Sequence, residues 1–140
     1  MNLSFQYNSN HINFSQVSNI LQLVKMSFYE EEIQRKAFEN SFSVIFVFDD
    51  GHLIGFGRTI SDGVFQAAIY DVAVKPEYQG LGIGKLIIEK LLFTVAGCNV
   101  ILYASVGKEN FYKKLNFRKM KTAMALFKNA DNMTNKGFTE

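Results

Sequence analysis

Between Asp71 and Lys85 the chain sets an acidic side chain, an apolar strand and three closely spaced glycines directly ahead of an amphipathic helix. In Gln79-Gly80-Leu81-Gly82-Ile83-Gly84-Lys85 the glycines leave main-chain N–H groups open to close approach. The helix behind them adds unpaired first-turn donors and the positive end of its dipole. This is chemistry for holding a phosphate or pyrophosphate. A Walker loop is excluded, because Lys85 is followed by Leu86 instead of Ser or Thr and Gln79 stands where the first glycine belongs. A dinucleotide fingerprint would need glycine at Lys85 and a repeated βαβ array before it. Other candidate reactive groups are Tyr112, His11, His52 and the single cysteine, Cys98.

The elements that must position these groups follow from periodicity and turn chemistry. Residues 3 to 8 read as a short strand. Val17, Ile20, Leu21 and Val24 then recur at helical spacing behind Ser15 as cap. Ser27 and Glu30 have capping-box spacing, Glu31 and Glu32 suit a first helical turn, and Ile33, Ala37 and Phe38 form an apolar stripe. Phe42 to Phe48 and His52 to Ile60 are strands joined by the hairpin signal Asp50-Gly51, and residues 64 to 75 are a third strand ending at Pro76. The glycine loop opens a helix with Ile83, Leu86, Ile87, Leu91 and Val95 on its apolar side, ended by Gly97. Val100 to Ala104 is the next strand, and it lies parallel to the 64–75 strand because a helix crosses between them. Residues 108 to 115 form a short helix closed by Asn116 in the left-handed conformation, and Phe117 to Phe127 a final strand. One domain over residues 1–140 is expected, with 129–140 as a frayed tail.

Three segments together resemble the GCN5-related N-acetyltransferase (GNAT) family. Gln79, Gly82 and Gly84 match its Gln/Arg-x-x-Gly-x-Gly/Ala loop, and Val72-Ala73-Val74 is similar to its Val-x-Val strand. Asn110-Phe111-Tyr112-Lys113-Lys114-Leu115-Asn116-Phe117 is similar to its Phe-Tyr-x-x-Leu-Gly-Phe. The order of elements also agrees over nearly the whole chain. The resemblance implies an α+β fold: a mixed, mostly antiparallel sheet with one parallel βαβ crossover and helices on both faces. It implies an N-acetyltransferase using acetyl-CoA as co-substrate, without metal, by direct attack in a ternary complex. Asn116 replaces the family's usual glycine, and Ser105 and Lys108 stand where many members have Asn and Ala.

The resemblance also distributes roles. The main chain of Gln79, Gly80, Leu81, Gly82, Ile83 and Gly84 would hold the pyrophosphate, with Lys85 adding charge. Val72, Ala73 and Val74 would pair with the pantetheine arm, and Asn110 and Tyr112 would complete the coenzyme A site. Tyr112 is the candidate acid for the departing thiolate; its plain alternative is aromatic packing beside Phe111. Alkyl amines have pKa values near ~10, so a base or water chain must remove a proton first. The commonest base position of the family falls on Ala68, leaving Asp71 as the nearest carboxylate, with His52, Tyr70 or a water chain as alternatives. Asp71 reads equally as a hydrogen-bonded structural group.

Composition bounds the partners. Net charge is +2, and the basic residues are scattered apart from Lys113-Lys114 and Arg118-Lys119-Met120-Lys121, which argues against nucleic acid. No secretion signal or membrane-length apolar run is present, so a cytoplasmic protein with no membrane partner is expected. One cysteine excludes an internal disulfide, and no motif links Cys98 to His11 or His52 for covalent catalysis. The expected acceptor is a primary amine on a small molecule. A protein or peptide amine, or a non-catalytic acyl-CoA sensor, is the alternative. Members of this fold often pair through exposed strands, so a homodimer is an expectation.

Overall fold

Asp50 (φ 48°) and Gly51 (φ 79°) both adopt positive φ, the geometry that lets a two-residue turn follow the twist of the strands it joins. They connect β2 (Ser43–Asp49) to β3 (His52–Ser61) in antiparallel register, Phe46 opposite Phe56. At the next turn Asp62 accepts from the N–H groups of Val64, Phe65 and Gln66 at 2.8, 2.8 and 3.1 Å and leads β3 into β4 (Gln66–Val74). β1 (Leu3–Gln6) pairs antiparallel with β2, and β5 (Asn99–Ile101) pairs parallel with β4, giving a five-stranded sheet in sequence order. The computed structural model describes residues 1–140, which divide into two units, 1–102 and 103–140. The sheet lies wholly in the first.

Alternation along β3 sends neighbouring residues to opposite faces. Phe56 turns to one face, where Phe14 of α1 (Phe14–Leu23), Phe38 of α2 (Glu31–Glu39) and Phe46 meet it. Phe38 stands 5.5 Å from Phe46 and 5.8 Å from Phe56, and 5.6 Å from Phe14, in the tilted and edge-on arrangements that aromatic quadrupoles favour. Gly57 turns to the other face, against α3 (Ile83–Thr94), whose buried residues are Ile83, Ile87, Ile88 and Leu91. A Cβ at Gly57 would sit 3.0 Å from Leu91 Cδ1 and 3.1 Å from Ile87 Cγ2, so the missing side chain is what lets α3 approach the sheet. Helices thus cover both faces, as expected. No helix is long and apolar enough to cross a membrane.

Local expectations needed correction at several points. Asn13, not Ser15, caps α1, its Oδ1 accepting from Ser15 N at 3.1 Å. Glu30, not Ser27, caps α2, its carboxylate accepting from Glu32 N and Ile33 N at 3.1 and 3.0 Å. The buried face of α2 also differs from the expected stripe: Ile33 is 55% exposed, while Gln34 and Phe38 are buried. The strand after α3 is shorter than expected, because parallel pairing covers only Gln66 to Ala68 against Asn99 to Ile101.

In the second unit α4 (Glu109–Lys113) forms, and Asn116 takes φ 72°, as expected. Phe117 to Phe127 is not a strand. β-propensity expresses fit to a paired, half-buried surface, and no ladder partner engages this segment; Leu126 and Met124 are almost fully exposed. The tail is also not frayed. Asn129 caps α5 (Ala130–Asn135) through Asn132 N, Phe138 N returns to Met133 O at 2.9 Å, and the Phe138 ring meets Tyr103 at 5.8 Å.

Candidate active site

The glycine loop is held from behind by two side chains. Tyr78, in the 3₁₀ turn Pro76–Tyr78, donates its hydroxyl to Asp49 Oδ2 at 2.8 Å, anchoring the turn to the end of β2. Gln79 donates from Nε2 to Val74 O at 3.0 Å, so the residue that opens the loop is fastened to the strand before it. Gly80 (φ 78°) and Gly82 (φ 85°) then occupy the left-handed region, with nothing within 4 Å of where a Cβ would lie. Any other residue would strain the backbone there and project into the open cradle.

Gly82 is the N-cap of α3 and supplies no side-chain acceptor; its carbonyl takes the first helical bond, from Leu86 N at 3.1 Å. The N–H groups of Ile83, Gly84 and Lys85 precede that bond and lack helical acceptors. Leu81 is exposed beside them. Lys85 leans 3.8 Å from Glu89 Oε1 on the exposed helix surface, a pair worth little in stability. The uncapped helix start, the open space and the absence of acidic side chains in the first turn fit a diphosphate.

Upstream, β4 outruns its parallel neighbour. β5 pairs only as far as Ala68, so from Ile69 to Val74 no strand of the sheet lies on that side. Lys75 N donates to Ile54 O at 2.8 Å, toward β3. Directions alternate along a strand, so the polar groups of Val74 face the unpaired side, where Gln79 takes its carbonyl. Val72, Ala73 and Val74 therefore border an open strand edge, able to receive an amide-bearing arm as an added strand.

A bulge interrupts β4 at Asp71. Phe56 is opposite Ala73 and Arg58 opposite Tyr70, which leaves Gly57 facing both Asp71 and Val72. Asp71 has φ 56°, an uncommon conformation for a side-chain-bearing residue. Its Oδ2 accepts from Arg58 Nε at 2.7 Å, with both side chains mostly buried. A carboxylate oxygen committed to a guanidinium in a short charge-assisted bond weighs toward the structural reading of Asp71. Arg58 and Ser41 escaped notice in the sequence. The available signal was a lone arginine directly after the apolar run Leu53-Ile54-Gly55-Phe56-Gly57, in the same expected strand, where a charge needs a partner.

The structure therefore gathers Asp71, Val72, Ala73, Val74 and Gln79 through Lys85 along one continuous stretch of the first unit. His52 is exposed at the β2–β3 turn, and Tyr70 lies under Arg58, 5.5 Å from ring centroid to guanidinium carbon. Cys98 Sγ stands 3.9 Å from Ser61 Oγ with no histidine partner. Asn110 and Tyr112 sit together on α4 of the second unit. The Tyr112 ring packs edge-on against Phe111 and Phe117 at 4.9 and 5.7 Å, and burial raises its pKa above the ordinary phenol value.

A strand edge left open beside a glycine cradle at a helix start suits an elongated ligand with an anionic end, and the chain belongs to the Acetyltransferase (GNAT) family, whose profile matches residues 14–117. Its curated relatives include serotonin N-acetyltransferase 2, chloroplastic, of Oryza sativa subsp. japonica, 38% identical over 96 residues, covering 63% of this chain and 48% of that protein. A histone acetyltransferase of Glycine max is 46% identical over 68 residues, covering 46% of this chain and 29% of that protein. The chain thus spans about half, or less, of the length of these relatives. Among solved structures, a probable acetyltransferase from meticillin-resistant Staphylococcus aureus superposes with a TM-score of 0.78 at 26% identity, covering 89% of this chain and 97% of that one.

Proposed function

We propose that this acetyltransferase uses acetyl-CoA to acetylate a primary amine, on a small molecule, by direct attack within a ternary complex. The observation that carries the reading is the uninterrupted run from the open β4 edge through the left-handed glycines to the uncapped start of α3. Main-chain N–H groups of residues 79–84 would hold the diphosphate and Lys85 would add charge. The edge at Val72, Ala73 and Val74 would align the arm, and its amides would donate to the carbonyl oxygen as negative charge develops. The bound thioester supplies an activated acetyl group. As the new C–N bond forms the C–S bond breaks; the amine loses a proton, and the thiolate gains one.

Tyr112 suits the second transfer, because a phenol with a raised pKa stays protonated across the neutral range and can donate. Asn110 shares its helix and is proposed as a contact to the same carrier. For the first transfer a water chain is favoured over Asp71, whose carboxylate is engaged by Arg58. The serotonin N-acetyltransferase among the relatives supports a small amine as acceptor. The histone acetyltransferase supports the second reading, a lysine side chain in a protein.

The test is thiol release from acetyl-CoA with arylalkylamines, polyamines and lysine-containing histone peptides, alongside calorimetric titration of coenzyme A. Turnover with small amines and slower turnover with peptides is expected. Faster turnover with peptides selects the protein acceptor. Tight coenzyme A binding with no turnover of any amine selects a non-catalytic acyl-CoA sensor, and no binding at all removes the reading.

A further inference from the structure

We infer that Arg58 is a positioning residue for the acetyl-transfer site: by holding Asp71 in its left-handed conformation it pins the β4 bulge, and with it the main chain of Val72 to Val74. The inference rests on the proposed acetyl-transfer reading and adds to it a residue that touches neither substrate.

The bulge places a side-chain-bearing residue, Asp71, at positive φ. A glycine at position 71 would take φ 56° without strain, but the chain has an aspartate there, and one oxygen of that aspartate is spent on Arg58 Nε at 2.7 Å. Arg58 stands on β3 directly beside the irregularity, opposite Tyr70, the last regularly paired residue before it. Its guanidinium is fixed on three further sides. Nη1 donates to Ser41 Oγ at 3.3 Å, and Ser41 Oγ in turn donates to Ala37 O at 2.8 Å, in the last turns of α2. The rings of Phe38 and Tyr70 lie 5.7 and 5.5 Å from the guanidinium carbon. The planar fork thus joins three elements: the bulge in β4, strand β3 and helix α2. A lysine ammonium, a point charge on a flexible stem, could reach Asp71 but could not hold the same fork.

The consequence is geometric. Past the bulge, β4 has no partner on the β5 side, so its position is set from the β3 side and by the bulge itself. Polarising a thioester carbonyl demands donors placed to within a fraction of an ångström, and a displacement of about 1 Å can cost about 100-fold in rate. Releasing the pin lets the edge of β4 shift at the bulge, while Tyr78 still ties the turn before the glycine cradle to Asp49 of β2, independently of β4.

The experiment uses the full chain with Arg58→Met, Arg58→Lys, Asp71→Gly and Asp71→Asn, read by amide hydrogen exchange at residues 71–74 and by kcat, KM and the pH profile. Arg58→Met is expected to raise exchange at 71–74 about tenfold, leaving α3 amides unchanged, and to lower kcat about 10- to 100-fold with coenzyme A affinity within about threefold. Arg58→Lys falls between wild type and Arg58→Met. Asp71→Gly, which keeps the backbone freedom and loses the anchor, behaves like Arg58→Met, and the double variant is no worse than the worse single one. Asp71→Asn, which keeps an oxygen for Arg58, lowers kcat less than Arg58→Met and does not move the acidic limb of the pH profile.

Unchanged exchange at 71–74 in Arg58→Met overturns the inference, as does unchanged kcat in that variant. Loss of the acidic limb in Asp71→Asn also overturns it, in favour of Asp71 as proton acceptor. Should the wild-type chain transfer to no amine, the functional reading fails by itself, and the exchange comparison still decides whether Arg58 holds the bulge.

Discussion

At the scale of single residues, Tyr112 and Gly82 carry separable parts of the proposed chemistry. Replacing Tyr112 with Phe removes one hydroxyl from a ring whose packing on Phe111 and Phe117 the phenyl group keeps. Tyr112→Phe is expected to lower kcat about 100-fold while coenzyme A affinity changes less than about threefold, measured by steady-state kinetics and calorimetry. Equal losses in both would return Tyr112 to aromatic packing. Gly82→Ala acts on the proposed diphosphate cradle instead. The Cβ would meet no atom within 4 Å, so the cost is the left-handed backbone alone, about 1–2 kcal/mol. That cost falls on the conformation that aims the α3 amides. Coenzyme A affinity should drop about tenfold, with a smaller change in kcat for bound substrate.

At the scale of elements, the prediction concerns how α3 reaches the sheet. Gly57→Val would drive methyl groups into Leu91, Ile87 and Val72, which already stand 3.0 to 3.2 Å from an added Cβ. Overpacking of this kind costs about 1–3 kcal/mol, to be read from urea unfolding midpoints, and it presses on the β4 bulge as well. Glu30→Ala removes the two N–H bonds that start α2 and should cost about 1 kcal/mol by the same measurement. These elements also show where the chain could be read in advance. The hairpin at Asp50-Gly51, the glycine loop and the parallel crossover were legible because each rests on a local backbone requirement or a chain-length constraint. The Asn13 and Glu30 caps were misplaced by two and three residues, since each has a second polar residue within three positions, Ser15 or Ser27, that could equally accept from a helix start. Residues 117 to 127 have the composition of a strand, yet a strand exists only with a partner, and partners are not local. The bulge at Asp71 left no trace in the pattern, because an extra residue in a ladder is visible only once the opposite strand is known.

At the scale of the whole molecule, stability should hold a plateau bounded by carboxylates on one side and phenols on the other. Three backbone N–H groups, of Val64, Phe65 and Gln66, depress the pKa of Asp62, and the N–H of Asn2 and then the Tyr78 hydroxyl depress that of Asp49. A carboxylate with a lowered folded-state pKa gives stability that is present above its unfolded value, about 4, and is lost as pH falls through the folded value. Tyr78, raised first by its bond to Asp49, and Tyr112, raised by burial, work in the opposite sense. Their stabilisation is present below the unfolded phenol value, about 10, and is lost as pH rises through the folded one. Unfolding midpoints measured across pH should therefore fall at both ends. Asp62→Asn separates the acid arm: its amide oxygen still accepts from the turn but cannot titrate. The variant should be less stable than wild type at neutral pH, and the gap should close below about pH 4 as the wild-type carboxyl takes up its proton. A gap that keeps its size as pH falls well below about 4, through the lowered folded-state value, would mean that the Asp62 charge does not hold the β3–β4 turn.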